Sequence, residues 1–485
     1  MTHGLLTDDD LRLRPGRGVR SPWLGEALSD EADLAPAPPL ARDAEVDIAI
    51  VGGGYTGLWT AYQLLTREPT LRVAILEADI CGGGPSGRNG GFVNSWWDEA
   101  TGLVELFGPD AARACLDASA AAVADVGAWC ERHGVDAHYR RAGMLVVSTA
   151  SAHDNRPAAL CAAARELGMP DAVQPLSAAD VSARCASPRF RDGALIADAA
   201  TVHPARLARG LRRVCLELGA VIHEGTRVTH VGNESGDRLR VETGGAALRA
   251  RHVVLAVNAW AAGWPAARRR ILAWGSYMVR SEPIPELIER ELGWTGGESI
   301  VDARFSVHYL HVTRDGRIAI GAGGGLPGFG GRIGPSFTDD VDAARRAAAA
   351  FRWLFPQLRD VRLTDAWGGP IDVSADHLPH VWSTHRRRLH VAAGYSGNGV
   401  GPSHLLGRIL AARVLGSDEP ITRLPIVGRR PRAFPPEPFR YLGARAMRAA
   451  MIRREDAEEA GRRPSSLLRE LSRLPRRFGY HLGPD

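Results

Sequence analysis

A chain of 485 residues is too long for one ordinary core and long enough for two intertwined domains. With 45% hydrophobic and 24% charged residues it has ordinary globular composition, and no apolar run approaches the ~20 residues of a membrane helix, so no integral membrane segment is expected and the chain reads as soluble. The net charge of +5 conceals a division: residues 421–485 carry 15 arginines against 7 acids, +8, leaving −3 over residues 1–420, so no nucleic-acid partner is expected for the body.

Residues 1–43 read as an N-terminal arm. Its start lacks the apolar stretch of a secretory signal, which makes cytoplasm the expected compartment, and its end, DLAPAPPLARDAE, suggests extended chain feeding a first strand. Residues 46–51 (VDIAIV) have the unbroken apolar character of a buried parallel strand, residues 56–65 continue at helical spacing, and residues 72–76 (RVAIL) supply a second strand. Gly52, Gly54 and Gly57 form G-x-G-x-x-G between strand and helix, and Glu77 ends the next strand. The first glycine permits the tight turn, the second lets backbone approach a pyrophosphate, the third allows close helix packing, and Glu77 can accept from ribose hydroxyls. This identifies an ADP-containing cofactor without separating NAD from FAD.

The next stretch, CGGGPSGRNGGF over residues 81–92, sets Ser86, Gly87, Arg88, Asn89, Gly90 and Gly91 where glycine-rich backbone can follow a flat cofactor and offer N–H groups and one guanidinium. Residues 102–191 are alanine-rich and helical, broken by the strand-like GMLVVST. Residues 220–231 (AVIHEGTRVTHV) suggest a hairpin. Residues 271–329 alternate strand-like runs around a turn at Arg314, Asp315 and Gly316, which suggests an antiparallel sheet, and LHVAAGYSGNGVGPSHLLGRILAARVLG reads as strand, glycine loop and helix. The six cysteines, 81, 115, 130, 161, 185 and 215, include no CxxC pair, which argues against a zinc site and a disulfide reductase alike. No carboxylate constellation accompanies the histidines of HYLH, and no metal is expected.

The motifs VGGGYTGLWTA, ILEAD, SGRNGGF, Trp367-Gly368-Gly369 and GYSGNGV, in this order, resemble the FAD-dependent D-amino-acid oxidase superfamily, and within it the gamma-glutamylputrescine oxidases and aminophosphonate-type oxidoreductases. The resemblance implies an α/β fold of mixed α+β character. A glutathione-reductase-like FAD-binding Rossmann domain (residues 44–100, 198–265 and 365–418) would stand beside an antiparallel-sheet substrate domain (101–197 and 266–364), with a basic helical extension at 419–485. It implies noncovalent FAD, since Cys81 does not match the family's attachment sites. Gly52, Gly54, Gly57 and Glu77 would hold the ADP part, residues 86–91 the pyrophosphate and flavin, Val228 the adenine by its backbone, and Gly394, Gly397, Asn398, Gly399 and Val400 the pyrimidine edge.

The reaction implied is oxidation of a C–N bond by hydride transfer to flavin N5, with O2 or another acceptor taking the electrons. Related amino-acid oxidases hold the substrate carboxylate with an arginine or lysine where this chain has Ile371 and Gly401, so a small primary or secondary amine is the expected substrate, with D-amino or N-methyl amino acids, or a non-catalytic flavin-binding role, as alternatives. A flavin hydroxylase or halogenase is disfavoured because the late strand runs AAGYSGNGV without their Gly-Asp motif. Arg280, His308, Tyr309 and His311 are candidates to line the pocket and meet a distal anion, and Trp96 and Trp97 to form an aromatic wall. The tail reads as a solvated helical cap, with Glu455, Asp456, Glu458 and Glu459 offsetting its arginines.

Overall fold

Ala44–Val51 is buried over its last six residues, as an unbroken apolar run dictates. In the computed structural model, which describes all residues except 1–4, 16–19, 32–34, 235–236, 478–479 and 481–485, this strand pairs in parallel with Val73–Leu76 on one side and Ala247–Leu255 on the other. Val221–His223 extends the sheet beyond Val73–Leu76; Leu389–Ala393 and His380–Thr384 extend it beyond Ala247–Leu255. Tyr55–Arg67 and Val400–Leu415 pack against each other, so both glycine loops feed helices of the same layer.

The expected hairpin over residues 220–231 does not form. Val221–His223 pairs with Val73–Leu76, whereas Val228–Asn233 pairs with Leu239–Thr243. The turn spends its backbone elsewhere: Gly225 N–H donates to Asp79 O at 2.7 Å and Thr226 N–H to Glu77 O at 2.7 Å, while buried Glu224 accepts from the Cys81 and Ala37 N–H groups and from Arg212.

A second sheet runs Leu363–Val373, Leu272–Ser281, Ile318–Ala322, His308–Val312, Ser299–Asp302, Met144–Val147, Gly193–Ile196, Val173–Leu176. It is antiparallel except where Ser299–Asp302 meets Met144–Val147. The alanine-rich helix Val341–Leu354 covers it, sharing a buried cluster with Tyr277, Val279, Ile318 and Ile320. The boundary at residue 365 needs moving. It falls inside Leu363–Val373, whose residues 365–373 pair in continuous register with Arg280 back to Leu272, the register shifting only between Arg280 and Ser281, so residues 365–373 lie in this sheet. Pro109–Arg132, within the segment assigned to the substrate domain, instead shares a core with the nucleotide-binding layer, where Trp129 meets Trp59 edge-on.

The described residues near both termini pack onto the body. Residues 1–43 contain the helices Asp8–Arg12 and Pro22–Ser29, not only extended chain. Asp10 receives a two-pronged bond from Arg352 at 2.8 and 2.9 Å, and Trp23, 2% exposed, packs edge-on to Trp367. At the other end Phe439–Glu459 and Ser466–Arg477 are helical. The solvated-cap reading is wrong for one face: Glu455 is 3% exposed, accepts from Arg304 and from the Ser306 N–H and hydroxyl, and Glu459 accepts from Arg304 at 2.7 Å. Acids spaced four apart share one helix face, and here that face is turned inward. Among the described residues no helix is long and apolar enough to cross a membrane.

Candidate active site

At the first turn Gly52 has φ +108°, and a Cβ there would stand 2.4 Å from Ala256 O, so only glycine fits. Gly54 caps Tyr55–Arg67 without a side-chain bond, which leaves the partial positive charge of the helix N-terminus for an anion. Glu77 Oε2 accepts from Gly53 N–H at 2.7 Å and Oε1 from Asp79 N–H at 2.9 Å; burial raises its carboxyl above the usual range against the pull of these donors. Val228 starts its strand two residues after Thr226, whose N–H donates to the Glu77 carbonyl. Cys81 lies under the turn, its Sγ 2.5 Å from where a Cβ on Gly53 would be. Burial pushes its thiol well up, which removes it as a nucleophile.

Residues 86–91 are tied from several sides. Ser86 Oγ accepts from Tyr55 N–H at 2.9 Å, Asn89 donates to Pro85 O and Ser86 O and accepts from Gly91 N–H, and Ser21 on the N-terminal arm donates to Gly87 O. Arg88 donates to Gly83 O and Gly368 O, and its own carbonyl accepts from the Trp367 indole at 2.9 Å. The Trp-Gly-Gly motif thus braces the loop from the second sheet.

Residues 394–400 hang on Asp372. Its Oδ2 accepts from Gly394 N–H at 2.6 Å, and its Oδ1 from Tyr395 N–H at 3.2 Å and the Asn258 amide at 2.8 Å. Burial pushes its carboxyl up to about 7 against these donors. Nothing in the sequence marked Asp372, because its partners lie far along the chain. Asp372→Asn should destabilise the protein by about 1–3 kcal/mol, since an amide must aim a donor at one of these donors; a denaturant midpoint unchanged from wild type would contradict this. Gly399 caps Val400–Leu415, again without a side-chain bond. A Cβ on Gly401 would stand 2.7 Å from Asn94 O, so this backbone has no room for a lysine there.

Both glycine loops border one cavity of about 280 Å³, with Arg88, Asn89 and Gly90 contributed by one and Gly397, Asn398 and Val400 by the other. Ile371 lines it, and so does Tyr309, whose hydroxyl is 2.8 Å from Ser276 Oγ; burial raises that phenol to about 12. The other five candidates lie outside the cavity lining. Arg280 is locked between Glu26 (2.7 Å) and Asp365 (3.0 Å) beneath Trp23. His311 lies behind Gly91, between Trp23 and Phe92, and burial lowers it to about 4. Trp96 and Trp97 are 1% and 0% exposed in the nucleotide-side core. His308, also among the pocket candidates, has its Nδ1 2.7 Å from Asp302 Oδ2. The aromatic lining comes from Phe92, Trp274, Phe305 and Tyr309.

The sequence reading missed the charged lining. Asp98 faces the cavity beside Asn398, whose amide donates to it at 3.3 Å and to Ser95 O at 3.0 Å. Burial, then the neighbouring Glu99, push the Asp98 carboxyl up to about 7, opposed by Arg156 and His377. Arg448, from Phe439–Glu459, also lines the cavity, together with Met447, Met451 and Ile452.

The residues present fit FAD. A strand-turn-helix with Glu77 behind it suits the ADP half, two helix N-termini with glycine at the cap position suit a pyrophosphate and an electron-rich ring edge, and the loops carrying them meet at one cavity. A family model for FAD dependent oxidoreductases, DAO, matches residues 47–413. The chain is 28% identical to the probable oxidoreductase OrdL of Rhizobium meliloti over 81% of this chain and 87% of that protein. To the gamma-glutamylputrescine oxidoreductase of Escherichia coli it is 27% identical, over 79% of this chain and 87% of that protein. The fold is that of the glycine oxidase crystal structure from Geobacillus kaustophilus, with a TM-score of 0.65 at 24% identity, covering 80% of this chain and 99% of that one. The matched segment runs from the first strand into Val400–Leu415 and contains both glycine loops; the chain belongs to the DAO family of FAD-dependent oxidoreductases.

Proposed function

We propose that this FAD-dependent oxidoreductase oxidises the C–N bond of a small primary or secondary amine. The observation that carries the reading is the composition of the cavity wall. Asp98 stands beside Asn398 of the second glycine loop, while the two places where amino-acid oxidases are expected to hold a carboxylate carry Ile371 in the wall and Gly401 against the Asn94 carbonyl. The similarity to gamma-glutamylputrescine oxidoreductase points the same way.

FAD, when bound, supplies the hydride acceptor. The chain's own residues would do the rest. Gly52, Gly54, Gly57 and Glu77, with the backbone of Val228, would hold the ADP half; residues 86–91 and Gly394, Gly397, Asn398, Gly399 and Val400 would hold the pyrophosphate and ring. Only a neutral amine has the lone pair that becomes the C=N bond as hydride leaves the α-carbon, so an arriving ammonium must first lose a proton. The Asp98 carboxylate would take it, and a carboxyl near 7 holds or releases a proton at neutral pH. Phe92, Tyr309 and Trp274 would exclude water and orient the α-carbon. Water adding to the released imine then gives a carbonyl compound and an amine or ammonia.

Anaerobic titration of the FAD-loaded protein with polyamines, gamma-glutamyl amines, aminophosphonates, N-methyl amino acids and D-amino acids should bleach the 450 nm band with amines. Bleaching by D-amino acids alone would overturn the reading.

A further inference from the structure

Apart from Arg88, which is bonded to Gly83 O and Gly368 O within the first glycine loop's bracing, the charged groups of the cavity divide into two sets. Glu99 Oε1 is 2.7 Å from His377 Nδ1, and Asp98, Glu99, Arg156 and His377 act electrostatically on one another: two acids against two bases. Arg448 is outside this set. Its charged neighbours are Arg346, Asp340 and Arg445, and among the described residues no carboxylate forms an ion pair with it. Nε is spent on Gly324 O at 2.6 Å, a carbonyl that also accepts from Arg346 at 3.2 Å. Burial and then Arg346 lower Arg448 to about 10, which leaves it cationic at neutral pH.

The helix bearing Arg448 is fixed in place. Arg448, Ile452, Glu455 and Glu459 recur at helical spacing on one face; Glu455 and Glu459 grip Arg304 and Ser306, and Ile452 packs over Gly324. Arg448 stands between this cavity and a second pocket that carries Asp339, Asp340, Asp342 and Arg346; a guanidinium held at one nitrogen on that border has donors left for a planar or tetrahedral oxyanion on the cavity side.

We propose that Arg448 is a specificity-determining residue that binds an anionic group, carboxylate or phosphonate, carried by the substrate at a distance from the C–N bond being oxidised. This rests on the amine-oxidation reading. The substrate class is then bipolar, its amine toward Asp98 and Asn398 and its anion toward the C-terminal helix, which lies outside the family-matched residues 47–413. It also places a cation where Arg280, His308 and His311 do not.

The test uses FAD-loaded wild type, Arg448→Gln, Arg448→Lys and, as a control one turn away on the exposed side, Arg445→Gln. Plain alkylamines of a few carbons are compared with their ω-carboxylate and ω-phosphonate counterparts by anaerobic flavin reduction. The ratio of kcat/KM, anionic over plain, should fall about 10- to 100-fold in Arg448→Gln, recover in part in Arg448→Lys, and stay within about twofold in Arg445→Gln. The arm that loses more, carboxylate or phosphonate, names the oxyanion. A ratio unchanged in Arg448→Gln overturns the proposal. Should no amine reduce the flavin, the amine reading fails, and glutarate binding, followed by perturbation of the 450 nm band, decides: a Kd about tenfold weaker in Arg448→Gln supports the anion site, whereas equal binding, or none to wild type, overturns it.

Discussion

Gly57→Ala is expected to purify colourless, with FAD affinity at least about 100-fold weaker than wild type, equivalent to roughly 3 kcal/mol. A Cβ on Gly57 would stand 2.0 Å from Gly52 O and 3.1 Å from Ile50 Cγ2. The first obstacle is the backbone of the turn itself, which no rotamer change can move. Overpacking typically costs about 1–3 kcal/mol when side chains can yield; here the helix Tyr55–Arg67 must lift off the strand Ala44–Val51, and its N-terminus, where the pyrophosphate would be held, moves with it. Gly54→Ala provides a graded comparison. Its Cβ would meet Ser86 Oγ at 2.9 Å, a hydroxyl that can rotate at the expense of its bond from Tyr55 N–H, so FAD loss should be smaller. The ratio of 450 to 280 nm absorbance and an FAD titration of the apoprotein read both effects. Stoichiometric FAD in Gly57→Ala would show that the helix does not need this approach.

The nucleotide-binding part was legible because its signals are local. Strand, turn, helix and Glu77 lie within residues 44–77, and glycines forced by backbone contact are visible as glycines. The SGRNGGF and GYSGNGV loops were legible for the same reason, and both reach the cavity. The hairpin at 220–231 was misread because pairing depends on which backbone groups are already taken, and those partners, Glu77 and Asp79, lie in the loop that follows Val73–Leu76. Arg280 and His311 share a sheet face with Met278 and Tyr309, two residues back on the same strands, but they lie further along it, where the N-terminal arm covers that face. Tyr309 faces the cavity, while Arg280 and His311 lie against Trp23 of the N-terminal arm. An arm that reads as extended linker gives no hint that its tryptophan and Glu26 will claim them. Asp98 follows two tryptophans and was passed over for them; they are core, and it faces the cavity. Arg448 was hidden in an arginine-rich tail whose charge seemed balanced by nearby acids. Those acids are turned onto Arg304 and His153, not onto Arg448.

Asp98→Asn should lower kcat/KM for the reactive amine by about 10²–10³-fold near pH 8, the scale of losing one positioned proton acceptor, and should change the shape of the pH profile. The groups facing Asp98 are Glu99, Arg156 and His377, with the Asn398 amide at 3.3 Å. Its carboxyl, raised to about 7, is protonated below that pH and cannot take a proton from an ammonium; above it, the carboxylate can. Wild-type kcat/KM should therefore climb with pH through about 7, before any further rise from the amine's own ionisation, and this limb should vanish in Asp98→Asn. Stability gives an independent reading of the same group. A carboxyl whose folded value is raised stabilises the fold fully below the ordinary carboxylate value of about 4, and loses that contribution as pH rises through about 7. The wild-type Tm, relative to that of Asp98→Asn, should fall between pH 4 and 7 and level off above. Parallel Tm curves together with an unchanged kinetic limb would remove Asp98 as the proton acceptor. A kinetic limb lost without any divergence in Tm would instead mean that Asp98 acquires its raised value only with FAD and substrate enclosed beside it, where desolvation is greater than the protein alone imposes.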